Sequence, residues 1–131
     1  MSIQAPLSAG ELLDKITILR IKSRRIADPK KLTNVRHELA ALEAVWRRSV
    51  WQSLAAEEAE LTRVNETLWD VEDHIRDQER RQDFGPRFVE LARQVYITND
   101  RRAEIKRRVN LQLDSALVEE KSYANYAAAT K

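Results

Sequence analysis

Three polar side chains, Asn99, Arg102 and Lys106, fall where a helix should be apolar. On a helical wheel of about 100° per residue with Val95 as origin, Phe88, Leu91, Val109 and Leu113 lie within roughly 40°, and so do these three. An isolated charge in apolar surroundings is strongly unfavourable unless it is paired and hydrogen-bonded. The helix therefore either opens onto a wet cleft there or meets acidic partners. A second segment offers such partners. Asn65, Trp69, Glu72 and Arg76 recur at spacings of four, three and four along one helical flank. A hairpin turning near residue 83 sets Arg102 opposite Asn65 and Asn99 opposite Leu68.

Two chemistries fit this set. Arg102 and Lys106 would hold a phosphate or carboxylate, Glu72 and Asn99 would take hydroxyls, and Trp69 would stack on a ring. The candidate ligand-binding residues are then Asn65, Trp69, Glu72, Arg76, Asn99, Arg102 and Lys106. The same groups also suit a buried structural network, an Arg–Glu pair cross-linked by amides that sets helix register. Both readings stay open at this level.

Other constellations carry less. Glu66, Asp70, Asp73 and Asp77 form a carboxylate stripe at a spacing that could hold a divalent cation. They point away from the core stripe and read as a solvated acidic face, so neither a metal nor another cofactor is expected. The all-α nucleotide pyrophosphohydrolases place paired Glu residues, then a Glu and an Asp three apart. Here Glu72 is followed three later by Ile75 and Asp73 by Arg76, which departs from that pattern. His37 and His74 stand alone, the only glycines are Gly10 and Gly85, and there is no cysteine. No triad, phosphate loop, thiolate site or disulfide framework follows. A net charge of +2 gives no bulk argument for nucleic acid, and the basic run Arg101–Arg108 has only Tyr96 as an aromatic neighbour, so a nucleic-acid partner is disfavoured. No apolar run of membrane-spanning length and no signal peptide is visible; with the missing cysteines, the expected location is cytoplasmic.

These residues need long helices to position them, and 131 residues with 2 Gly and 3 Pro suit an all-α bundle forming a single domain. Ser8-Ala9-Gly10-Glu11 is a capping box opening helix 1, which runs to about Ala27. Asp28-Pro29 starts helix 2, which runs to about Arg48 with the stripe Leu32, Val35, Leu39, Leu42 and Trp46. Ser49-Val50-Trp51-Gln52 could cap helix 3. The core of the fold is then a long antiparallel hairpin of helices over about 50–81 and 86–113, joined by Asp83-Phe84-Gly85-Pro86. Nine acids between Glu57 and Arg80 face the basic fourth helix, which favours that pairing. Residues 116–131 read as a short helix and a frayed tail in which Glu119-Glu120-Lys121-Ser122-Tyr123 is unusual. Helix 1 is apolar on more than one side and is therefore central or shared with a second subunit. Asp14, Lys15 and Lys22 lie among its apolar residues and read as surface charge in preference to an extension of the cluster. Trp69 needs a cover from helix 1, a second subunit or a ligand.

The stretches Gly10–Leu19, Leu68–Arg76, Glu90–Tyr96, Asn99–Arg102 and Glu119–Tyr123 together resemble a small family of bacteria and phages known only as a domain of unknown function. The resemblance covers nearly the whole chain. Its members occur near glycosyltransferase and surface-polysaccharide genes, so it implies sugar or nucleotide-sugar chemistry and marks no residue as catalytic. The expected function is a cytoplasmic accessory or ligand-binding protein in cell-surface glycan metabolism. It would take an anionic or sugar-like small molecule and dimerise, or bind a protein partner, through helix 1 or Trp69. One alternative is a metal-dependent enzyme acting on a phosphorylated sugar or nucleotide, which needs Glu72 and Asp73 to converge with Asp100. The other is a structural adaptor with a buried polar network.

Overall fold

The computed structural model describes residues 1–127, and every regular element among them is an α-helix. α1 (Ala9–Arg25) begins at Ser8, whose hydroxyl accepts the Glu11 amide at 3.2 Å. The reciprocal half of the expected capping box is not made, because the Glu11 carboxylate turns instead to Lys106. Asp28 caps α2 (Pro29–Ser49), with Pro29 in its first turn, where a missing N–H does no harm. α3 (Ala55–Arg80) and α4 (Pro86–Gln112) form the antiparallel hairpin, in a register marked by Glu60–Arg108 at 2.6 Å and Glu57–Gln112 at 2.9 Å.

Two expectations need correction. α3 starts at Ala55 rather than near residue 50, and Ser49 ends α2 instead of capping α3. The intervening chain reverses direction and turns Leu54 into the core against Leu13, Leu61, Val64, Ile105 and Val109, while Trp51 is left 89% exposed. Burying a leucine is worth about 1.5–3 kcal/mol, enough to override local helix preference over five residues. Residues 116–127 are also not a short helix. They run extended, back along α4, as a strap: Glu119 meets Lys106, Glu120 meets Arg107 and Tyr126 meets Tyr96. An extended chain covers about 3.3 Å per residue, which lets these side chains match partners spread over about three turns of α4; a helix of the same length could not. Residues 128–131 of the expected tail lie outside the described residues.

α1 is the central helix. It packs against α2, α3 and α4, which explains why it is apolar on more than one side and why Leu13, Ile16 and Ile21 are buried. Its apolar surface is covered within the chain. α2 packs against α1 alone among the helices, so its stripe is only half-buried apart from Val35. The acidic face of α3 is met mainly from α1: Arg24 pairs with Glu66 at 2.8 Å, Arg25 with Asp70 at 2.6 Å, and Arg20 with Glu58. α4 contributes Arg108 to Glu60. The stripe expected to be solvated therefore serves partly to dock α1. No helix among the described residues is long and apolar enough to cross a membrane.

Candidate functional site

The polar residues of α3 and α4 converge on an acid from α1. Asp14 is 0% exposed, and its Oδ1 accepts Nδ2 of Asn65 at 2.9 Å and Nε of Arg102 at 2.9 Å. Its Oδ2 takes Nη2 of Arg102, which makes the pair two-pronged. Asn65 Nδ2 also donates to Oγ1 of Thr17 at 3.0 Å, and Thr17 donates to the Asp14 carbonyl at 2.7 Å. Both carboxylate oxygens are thus occupied, and the node is closed. The hydrogen bond to Asp14 is the largest influence on Arg102 and raises its pKa, holding the guanidinium firmly charged.

Lys106 lies one turn further along α4 and is 8% exposed. Its ammonium donates to Glu11 at 2.6 Å and to Glu119 of the strap at 3.0 Å. Burial is the largest single influence and pulls its pKa down, but the two carboxylates together outweigh burial and the net direction is upward. The same hydrogen bond lowers the pKa of Glu119. Below this pair α1 and α4 touch backbone to backbone. A Cβ at Gly10 would overlap the Lys106 carbonyl, with its carbon at 2.9 Å. The first-turn amides of α1, which have no partner inside the helix, are taken up here. Ala9 donates to Ser115 at 3.2 Å and Gly10 to the buried Asn110 at 2.6 Å.

Two cavities, both open to solvent, lie between the strap and α4. One of about 270 Å³ is lined by Lys106, Arg107, Asn110, Glu119 and Lys121 among others. The other, of about 540 Å³, is lined by Tyr96, Tyr123, Tyr126, Asn99, Asp100 and Lys121, with Val95 and Ala124. Tyr96 and Tyr126 sit 5.3 Å apart at 57°, and Lys121 lies 5.9 Å from the Tyr123 ring. Desolvation and the neighbouring Asp100 charge push the Tyr126 phenol up. Three phenol rings, an amide, an acid and an amine around one cavity can stack on a ring and hydrogen-bond its substituents.

The seven predicted residues are therefore divided. Asn65, Arg102 and Lys106 come together, with the first two in one closed network. Asn99 lines the tyrosine cavity. Trp69 lies elsewhere, with the Arg25 guanidinium 5.6 Å over its ring, so α1 supplies its cover. Glu72 and Arg76 pair with one another on the surface of α3, and Arg76 is 71% exposed. Glu72 is thus not the acid of the cluster. The acid is Asp14, read from the sequence as surface charge; its place among apolar residues of a helix apolar on more than one side was the signal. Glu11, Asn110 and Glu119 were also missed as members, although the Glu119–Tyr123 segment stood out. Among the described residues no group of three or more His, Asp or Glu side chains converges as a metal ion would need. No family model, no curated protein and no solved structure matches the chain.

Proposed function

We propose that the chain is an accessory, ligand-binding helical protein of the cytoplasm, whose binding surface lies between α4 and the C-terminal strap. The ligand class is a polar, ring-bearing small molecule such as a sugar or nucleoside derivative. One observation carries this: the 540 Å³ cavity where Tyr96, Tyr123 and Tyr126 surround Asn99, Asp100 and Lys121. Its size falls within the range of small-molecule sites, and its mix of aromatic faces with few polar groups suits ring recognition. The ion pairs of Glu119 and Glu120 hold the strap over α4 and so shape the cavity. The resemblance to a family found near surface-polysaccharide genes supports sugar or nucleotide-sugar chemistry. In this reading the Asp14–Arg102–Asn65 node is support and touches no ligand.

The test is a thermal-shift screen with nucleotides, nucleotide sugars and sugar phosphates, repeated on Tyr96→Ala and Asn99→Ala. A ligand at 100 times its Kd adds about 2.7 kcal/mol to stability. The expected result is a shift in the wild type that disappears in both variants. A ligand shift that persists in both would place binding elsewhere. The adaptor reading has its own support: a groove of about 1080 Å³ lined by Leu7, Leu12, Leu42, Val45, Trp46 and Trp51 among others, with Trp51 standing out from it. Loss of a co-purifying partner in Trp51→Ser, with no ligand shift in any protein, would favour that reading.

A further inference from the structure

On the other side of α4, about 180° around the helix from the tyrosine cavity, the hairpin carries a separate cavity of about 490 Å³. Its walls are Glu60, Arg63, Val64 and Thr67 of α3 and Gln94, Ile97, Thr98, Arg101 and Ile105 of α4. The hairpin register brings Arg63 and Arg101 within about one turn of the same level, well inside the reach of two arginine side chains. Val64 and Ile105 are buried and form an apolar floor.

The charges here are arranged unlike those of the other helix seams. Elsewhere arginines at the seams have acids: Arg20 has Glu43 and Glu58, Arg24 has Glu66, Arg25 has Asp70, and Arg102 has Asp14. The single acid lining this cavity, Glu60, is engaged by Arg108 at 2.6 Å. Among the described residues, neither Arg63 nor Arg101 is in an ion pair. Two arginines therefore line one cavity whose single acid is already engaged by Arg108. The Thr67 hydroxyl is occupied by the Arg63 carbonyl at 3.0 Å, and the Gln94 amide by Glu90 at 3.0 Å, which leaves Arg63, Arg101 and Thr98 as the donors lining the space. Like charges side by side repel, and a tetrahedral oxyanion relieves that repulsion while accepting several charge-assisted hydrogen bonds.

We propose that this cavity is a binding site for a phosphate group, held between Arg63 and Arg101. Its walls share no residue with the tyrosine cavity, which lies on the opposite flank of α4. The test is calorimetric titration of the full chain with inorganic phosphate and pyrophosphate at constant ionic strength. Saturable binding of one phosphate per chain is expected. Arg63→Gln and Arg101→Gln should each weaken it about tenfold, the double variant should abolish it, and Tyr96→Ala should leave it unchanged. Because both arginines are exposed, the double variant should fold, and without phosphate its Tm should equal or exceed that of the wild type. Glycerol 3-phosphate run beside phosphatidate vesicles separates a soluble ester from a lipid headgroup as the source of the group. No heat with either phosphate, undiminished binding in the double variant, or a marked fall in its Tm would overturn the proposal.

Discussion

Asp14–Arg102 and Glu72–Arg76 are both arginine–carboxylate pairs within the same bundle, yet they do different physical work. The first joins two helices far apart in sequence, its carboxylate is 0% exposed, and an amide completes its shell. The second spans one turn of α3, with Arg76 71% exposed and Glu72 44%. Water screens the surface pair, and holding two long side chains in one geometry offsets most of its attraction. The buried pair is screened far less, since Asp14 is 0% exposed and Arg102 only 28%. Its net worth against an apolar replacement is small, but removing one member leaves the other desolvated and unpaired. What separates the two is where the third helix lands: α1 lies over Asn65 and Arg102 and leaves Arg76 in solvent.

The largest effect should come from breaking the buried pair on one side. Asp14→Ala is expected to lose about 3–5 kcal/mol in denaturant unfolding, and Asp14→Leu combined with Arg102→Met should recover most of that loss. If the double variant is as unstable as the single one, the node does more than balance its own charges. Gly10→Ala comes next. In an ordinary helix interior this change stabilises by up to about 1 kcal/mol, whereas here the new methyl meets the Lys106 backbone, and a loss of about 1–3 kcal/mol is expected. A gain in Tm would mean that α1 and α4 can separate freely.

Acid titration probes the strap between these extremes. Because pairing with Lys106 depresses the Glu119 pKa, its contribution is complete above the ordinary value of 4.5 and is lost as pH falls through the lower folded value. For Lys106 the raised pKa means that its share persists up to its ordinary value of 10.5 and is lost only above that. Backbone NMR shifts over 116–127 should therefore move toward random-coil values below about pH 4.5. In Glu119→Gln they should already lie there at neutral pH. The smallest effect belongs to the surface pair: Arg76→Ala should change unfolding stability by less than about 0.5 kcal/mol. A larger loss would show that the flank of α3 is covered in solution.

The parts legible in the sequence were those governed by period and local chemistry. The 3.6-residue stripes and the Asp83–Pro86 turn were enough for the hairpin, and its register correctly brought Asn65 to Arg102. The acid between them came from a third helix, and a hairpin pattern says nothing about which face of another helix lands on it. Trp69 was recognised as needing a cover, but Arg25 supplies it from beyond the last apolar turn of α1. Gly85 has φ −76° and needs no special freedom. The left-handed residues that end α3 and α4 are Gln82, at φ 57°, and Asp114, at φ 49°. They close these ends with Asp83 N–H donating to the Gln78 carbonyl at 3.0 Å and Ser115 N–H to that of Asn110 at 2.8 Å. The extended strap had no periodic signature because ion pairs, and not an apolar stripe, hold it.

Lys106 has a consequence of its own. One ammonium is shared by Glu11 in the first turn of α1 and by Glu119 in the strap, so the two acids compete for the same charge as well as cooperate in desolvating it. Detaching the strap concentrates that charge on Glu11, and loosening the start of α1 concentrates it on Glu119. Substitutions at the two acids should then be non-additive, with a coupling readable in a double-mutant cycle. The two ends of the described chain behave thermodynamically as neighbours, and a change in free energy at one is felt, with equal magnitude, at the other.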